Sequence, residues 1–209
     1  MTGVLVLAGL ILLGVLMLII LSGIRVIPNT RIGIVEKRFS PTGSVKSGFI
    51  ALNGEAGFQP NVLRGGVHYL IPIQYVVHAA PLVTIPQGKI GYIFARDGTL
   101  LDPTQTLASN VDVSDFQDVE GFLRNGGQRG PQRRILREGT YAINLVQFIV
   151  ITDERVYSLP LSRQDMEVIQ RMATVIAERG GFFPVILKDT DDKIGIVTVH
   201  DGPSILIDS

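Results

Sequence analysis

The chain opens on an apolar run and then breaks into short segments in which apolar and polar positions are mixed. From Val4 to Leu21 there is no charged side chain, and fourteen of the residues are Val, Leu or Ile. With its uncharged flanks the run extends from Met1 to Ile24. At about 1.5 Å of rise per residue, a helix of this length matches the roughly 30 Å of a bilayer's hydrocarbon core. The run predicts a transmembrane anchor over residues 1–24. A cleaved signal peptide fits less well, because Met1-Thr2-Gly3 lacks a basic residue and Leu21-Ser22-Gly23 is a poor cleavage site. Arg25, Arg31, Lys37 and Arg38 follow the run and nothing basic precedes it. The positive-inside rule then places the rest in the cytoplasm, as part of a single-pass protein of the cell (plasma) membrane.

Beyond the run, one pattern recurs. Val26-Ile27-Pro28-Asn29-Thr30-Arg31-Ile32-Gly33-Ile34-Val35 is followed 58 residues later by Thr84-Ile85-Pro86-Gln87-Gly88-Lys89-Ile90-Gly91-Tyr92-Ile93. A third copy starts at Asp191-Asp192-Lys193-Ile194-Gly195-Ile196-Val197. The second and third run into Arg96-Asp97-Gly98 and His200-Asp201-Gly202, which reads as a strand entering a hairpin turn. A second element also repeats, at an offset of 73: Leu63-Arg64-Gly65-Gly66-Val67-His68-Tyr69-Leu70 and Leu136-Arg137-Glu138-Gly139-Thr140-Tyr141-Ala142-Ile143. An apolar strand follows each, at Tyr75-Val76-Val77 and at Phe148-Ile149-Val150-Ile151. Each unit thus reads as strand, excursion, Arg-x-Gly turn and return strands, a β module built by duplication. His68 takes the place of Tyr141, which implies a packing role for it. The third copy lacks its turn and return strands, so it reads as a unit cut short.

Two helices are expected in this region. Asp115 to Leu123 reads as a short one ending at Asn125-Gly126-Gly127. Arg163 to Arg179 is longer, with Ser162 as N-cap, Met166, Ile169, Ala173 and Ile176 on one apolar face, and Gly180-Gly181 as the stop. The fold class expected is therefore one N-terminal transmembrane helix followed by an α+β, mostly antiparallel region with duplicated β units and a short helix. Its parts are the anchor at 1–24, the duplicated β-rich region at 25–160, a helix at 161–181 and the start of a further β unit at 182–209.

Composition narrows the chemistry. Lys plus Arg and Asp plus Glu both number 19, which speaks against nucleic-acid binding through a global field. With no cysteine, disulfides and Cys-based zinc sites are excluded. His68, His78 and His200 lack metal-ligand spacing. Asp189, Asp191 and Asp192 lack the glycine and glutamate of a calcium loop. Asn125-Gly126-Gly127-Gln128-Arg129-Gly130 lacks the Gly-Lys-Ser/Thr ending of a P-loop. No catalytic, metal or cofactor set emerges, so a non-enzyme without cofactors is expected. One cluster stands out: Arg124, Arg129, Arg133, Arg134 and Arg137. It could meet anionic lipid headgroups, or pair with Asp112, Asp115, Asp118 and Glu120 just upstream, or with a neighbouring subunit.

The ordered motifs behind the apolar run, from Val26-Ile27-Pro28 to Val35 and from Leu63-Arg64-Gly65 to Pro72, resemble the start of the SPFH or band 7 superfamily (stomatin, prohibitin, flotillin). The stretch from Phe116 through Gly126-Gly127-Gln128-Arg129-Gly130-Pro131-Gln132 to Tyr141 is similar to the bacterial flotillin-like branch. The resemblance spans nearly the whole chain from Gly23. It implies a membrane-anchored scaffold that oligomerises, encloses membrane microdomains, and has membrane lipids and other membrane proteins as partners. A regulatory partner of a membrane protease or transporter is the alternative it implies. Flotillin-like members carry a long coiled coil after this region, and here no heptad run follows Gly181.

Overall fold

A computed structural model of the chain describes residues 2–161 and 163–184. The third repeat copy and the Ser162 cap fall outside those residues. In chain order the elements are α1 (Thr2–Ser22), β1 (Ile24–Ile27), β2 (Arg31–Lys37), β3 (Gly57–Leu63), β4 (Gly66–Tyr69), β5 (Tyr75–Pro81), β6 (Val83–Ile85), β7 (Tyr92–Ala95), α2 (Val119–Arg124), β8 (Gly130–Pro131), β9 (Gly139–Tyr141), β10 (Phe148–Ile151), β11 (Val156–Tyr157) and α3 (Arg163–Glu178). The described residues thus form an α+β protein whose named strands all pair antiparallel.

The N-terminal run is helical, but the membrane expectation is corrected. Among the described residues no helix is long and apolar enough to cross a membrane. The transmembrane anchor at 1–24 is withdrawn on that finding, and with it the single-pass plasma-membrane placement and the cytoplasmic orientation derived from it.

The chain divides into two compact units, Met1–Leu82 and Val83–Ser209. In the first, β3-β2-β5 form one sheet and β1-β4 a two-stranded ribbon. In the second, β11-β10-β7-β8 form the sheet and β6-β9 the ribbon. The sequence offsets of 58 and 73 carry one set of ladders onto the other. Val26↔Val67 becomes Thr84↔Thr140, and Ile34↔His78 becomes Tyr92↔Ile151. Smaller details follow the same shifts. His68 Nε2 bonds the Arg64 carbonyl at 2.8 Å, and the Tyr141 hydroxyl donates to the Arg137 carbonyl at 2.9 Å. Arg38 N donates to Gln74 O, and Arg96 N to Gln147 O, each at 2.8 Å.

A close approach explains the Ile-Gly core of the motif. A Cβ on Gly33 would stand 3.0 Å from Ile27 Cδ1, and one on Gly91 would stand 2.7 Å from Ile85 Cδ1. Any side chain there would push the buried Ile off the sheet. The Asp97-Gly98 pair does not close the hairpin its sequence suggests. It opens a long excursion instead, held where Thr99 N donates to Gly127 O and Arg129 N donates to Thr99 O, both at 2.9 Å. β7 finds its next strand only at Gly130–Pro131.

In the second unit, all four residues of β10 are buried. Alternation is lost because both faces are covered. Phe148 packs with Phe116 and Phe122 on one side, with ring centroids 5.2 and 5.0 Å away. Ile149 and Ile151 join Ile169 and Phe182 in a separate cluster, where Met172, Ala173 and Ile176 of α3 also pack. Three of the four residues expected on the apolar face of α3 are among these. Tyr92 closes this side by donating its hydroxyl to Gly181 O at 2.5 Å.

Burial raises the Tyr92 pKa above its ordinary 10.0, since the phenolate is harder to solvate in the fold than in the open chain. The unfolded state therefore ionises first. The contribution of this group to stability is whole below about pH 10 and falls as pH rises through the raised folded value. Tyr92→Phe should cost about 1 kcal/mol in urea denaturation at pH 7, the value of one hydrogen bond. It should also flatten part of the decline above pH 10.

Candidate functional site

The arginine cluster lies on the excursion between β7 and β9, in the second unit. Each unit's excursion carries a bridge at a similar place. Ile50 bridges Phe58 in the first, and Ala108, 58 residues after Ile50, bridges Gln132 in the second. Between Ala108 and Gln128 the second unit carries a longer segment than the first has between Ile50 and Ala56. This extra segment holds α2 and all four acids expected to face the arginines.

Helix α2 starts later than its sequence suggests. Asp118 is its N-cap, with Oδ1 accepting from Gly121 N at 2.8 Å. The preceding residues are not helical in the usual sense, because Ser114, Asp115 and Phe116 all have positive φ, of 46°, 54° and 62°. Three successive non-glycine residues in the left-handed region each carry a cost of about 1–2 kcal/mol. Two features hold them there. Gln117 N donates to Ser114 O at 3.2 Å, and the Phe116 ring is buried against Phe122 and Phe148. Burial of a Phe side chain is worth about 1.5–3 kcal/mol, which offsets part of that cost.

The turn delivers Asp115 to Arg134, whose Nη2 donates to Asp115 Oδ1 at 2.6 Å. Arg134 Nη1 reaches Asp112 Oδ1 at 3.4 Å. Arg124 Nε donates to Glu120 Oε1 at 2.8 Å, one helical turn away. Of the four acids, Asp112, Asp115 and Glu120 thus pair with arginines, and Asp118 is used as a cap instead.

A cavity of about 390 Å³ is lined by Asn110, Asp115, Arg133, Arg134, Ile135, Arg137 and Tyr141. It brings together three of the five candidate arginines, Arg133, Arg134 and Arg137. Arg124 stands off it at the end of α2, and exposed Arg129 sits at the neck of the excursion. Tyr141 closes one side with its hydroxyl on the Arg137 carbonyl. Its pKa is raised, first by burial and then by the negative charges of Asp115 and Glu138. The sequence reading missed Asn110, Ile135 and the left-handed turn. Tyr141 was visible only as the counterpart of His68.

Three guanidinium groups around one lining carboxylate suit the capture of an anion. Among the described residues no group of three or more His, Asp or Glu side chains is placed to hold a metal ion. No family model, curated protein or solved structure matches the chain. The SPFH and flotillin-like likeness of the motifs gains no support from these comparisons, and no family membership is drawn from it.

Ser114 is exposed, so its backbone angle can be tested without disturbing a core contact. Ser114→Gly should stabilise the protein by about 1 kcal/mol, since glycine adopts positive φ without cost. Ser114→Val should destabilise it by a similar amount or more. Chemical denaturation of the two variants beside the parent chain checks the sign of both.

Proposed function

We propose that this protein is a non-enzymatic scaffold that self-associates and holds other proteins together. The observation that carries this reading is an apolar surface on the first unit, at positions where the second unit is polar or covered. The cross-strand pair Val26 and Val67 is 69% and 73% exposed. Its counterpart in the second unit is a pair of threonines, Thr84 and Thr140. Tyr69, Ile71 and Ile73 continue the exposed apolar surface, whereas Asn144 and Val146, the counterparts of Ile71 and Ile73, are buried. Contiguous exposed apolar surface of this kind marks sites of protein association.

The sheet edge supports the same reading. β5 runs for seven residues at the edge of its three-stranded sheet, with no Lys, Asp or Glu along it. Such an edge is a template for pairing with another chain. In the second unit, the matching strand β10 has β11 on that side. A second copy of this chain is the partner this surface fits.

The duplication itself supplies the variant that tests the reading. Val26→Thr with Val67→Thr writes the second unit's pair into the first, so the strands should keep their ladder. Sedimentation velocity should find the parent chain self-associated and the double variant shifted to smaller species, with circular dichroism unchanged. A parent chain that stays monomeric over a wide concentration range would remove the basis for a self-assembling scaffold.

A further inference from the structure

The arginine cavity carries an inference independent of self-association. Arg133, Arg134 and Arg137 line one wall system with Tyr141 and Asn110, and a single lining carboxylate, Asp115, faces them. Asp112 reaches Arg134 only from the outside, with a side chain almost wholly in solvent. Glu138 is turned to the backbone, where its Oε2 accepts from Gly88 N at 3.0 Å. The cavity therefore holds an excess of positive charge over its lining acids. Its volume of about 390 Å³ exceeds what a lone carboxylate fills and falls in the range of small-molecule sites.

The way Asp115 reaches the arginines is the second observation. It arrives on a turn of three non-glycine residues with positive φ, Ser114 to Phe116. Backbone in this sparsely populated region is found where its surroundings hold it there, and such residues cluster at ligand clamps and switches. The charged contact at the centre of the turn is the 2.6 Å bond from Arg134 to Asp115. Asp115 thus sits among the arginines as a built-in anion.

We propose that this cavity binds a phosphate-bearing anion with a small organic substituent, and that the ligand displaces the Asp115 carboxylate from Arg134. A phosphate offers more oxygens than a carboxylate to guanidinium forks set around it. Arg134 would change partner, Arg137 would gain one, and the turn would lose its charged contact. The organic substituent accounts for the space beyond the charged wall, beside Ile135 and the Tyr141 ring. A phosphate monoester and the phosphodiester headgroup of a lipid share this chemistry.

The test is isothermal titration calorimetry of the full chain with two soluble probes, glycerol 3-phosphate as the monoester and glycerophosphoglycerol as the diester headgroup. Saturable binding of either supports the site, and the one that binds names the source. Asp115→Asn should bind on the order of tenfold tighter, because the competing charge is gone. Arg137→Ala should bind on the order of tenfold more weakly, since a charge-assisted bond is lost. Arg137 is exposed, so that variant should fold even if a change at Asp115 disturbs the turn. No saturable heat with either probe, or equal affinity in the parent and Arg137→Ala, would overturn the proposal. Affinity unchanged by Asp115→Asn in a folded variant would overturn the displacement.

Discussion

The antiparallel ladder between β7 and β10 is the interaction on which the second unit depends. It joins residues more than fifty positions apart, Tyr92 to Ile151 and Ala95 to Phe148. Closing so long a loop costs entropy, which the ladder and the burial around β10 must outweigh. Once it is closed, both faces of β10 become organising surfaces. Phe148 receives Phe116 and Phe122 on one side, and Ile149 and Ile151 receive α3 on the other. The aromatic contact reaches into the candidate site, because Phe116 ends the left-handed turn that aims Asp115. A change under that ring would be felt at the arginines without touching them.

Duplication explains what the two units share, and packing explains where they differ. The shared parts set backbone geometry: the glycines against Ile27 and Ile85, the positive-φ glycines Gly66 and Gly139, and the ladder registers. Side chains diverge where the neighbours diverge. Phe94 and Ile151 pack with the cluster under α3. At the matching positions the first unit has Glu36 and His78, whose Oε2 and Nε2 lie 2.7 Å apart. Both are part-exposed, and no helix among the described residues of that unit covers them. A face that receives a helix has to be apolar, whereas one left open can keep a polar pair.

The repeats were legible because glycine and proline positions are sequence-local signals of backbone shape. Ile-Pro, Ile-Gly and Arg-x-Gly mark the strand starts, the close approach and the turn before the return strand. The arginine cluster was legible as a cluster, but its division was not. Nothing in Ser114-Asp115-Phe116 announces positive φ, since glycine, the residue that usually marks it, is absent there. The turn is set by tertiary burial of Phe116, which pattern alone does not reveal. The same gap misplaced the start of α2, because the acids before Val119 look helical until Asp118 is seen to cap it. The apolar N-terminal run shows the opposite error. Its composition was read as a span, but among the described residues no helix is long and apolar enough to make one.

The placement of the extra segment follows from the same mechanics. An insertion inside β7 or β10 would break the ladder that closes the loop. One in the excursion adds only the small cost of lengthening a loop already closed. The added residues must still be anchored, and the second unit does so twice, through Phe122 on Phe148 and through Gly127 on Thr99. Between those two anchors the chain can place charges without answering to the sheet. All four acids and Arg124 come from the added segment, while Arg133, Arg134 and Arg137 follow it on the way back to β9. Charge pairing across this junction joins the segment specific to the second unit to the part that the duplication copied. That makes Asp115–Arg134 a contact where a bound anion would act on the backbone, because it joins a strained turn to the lined cavity.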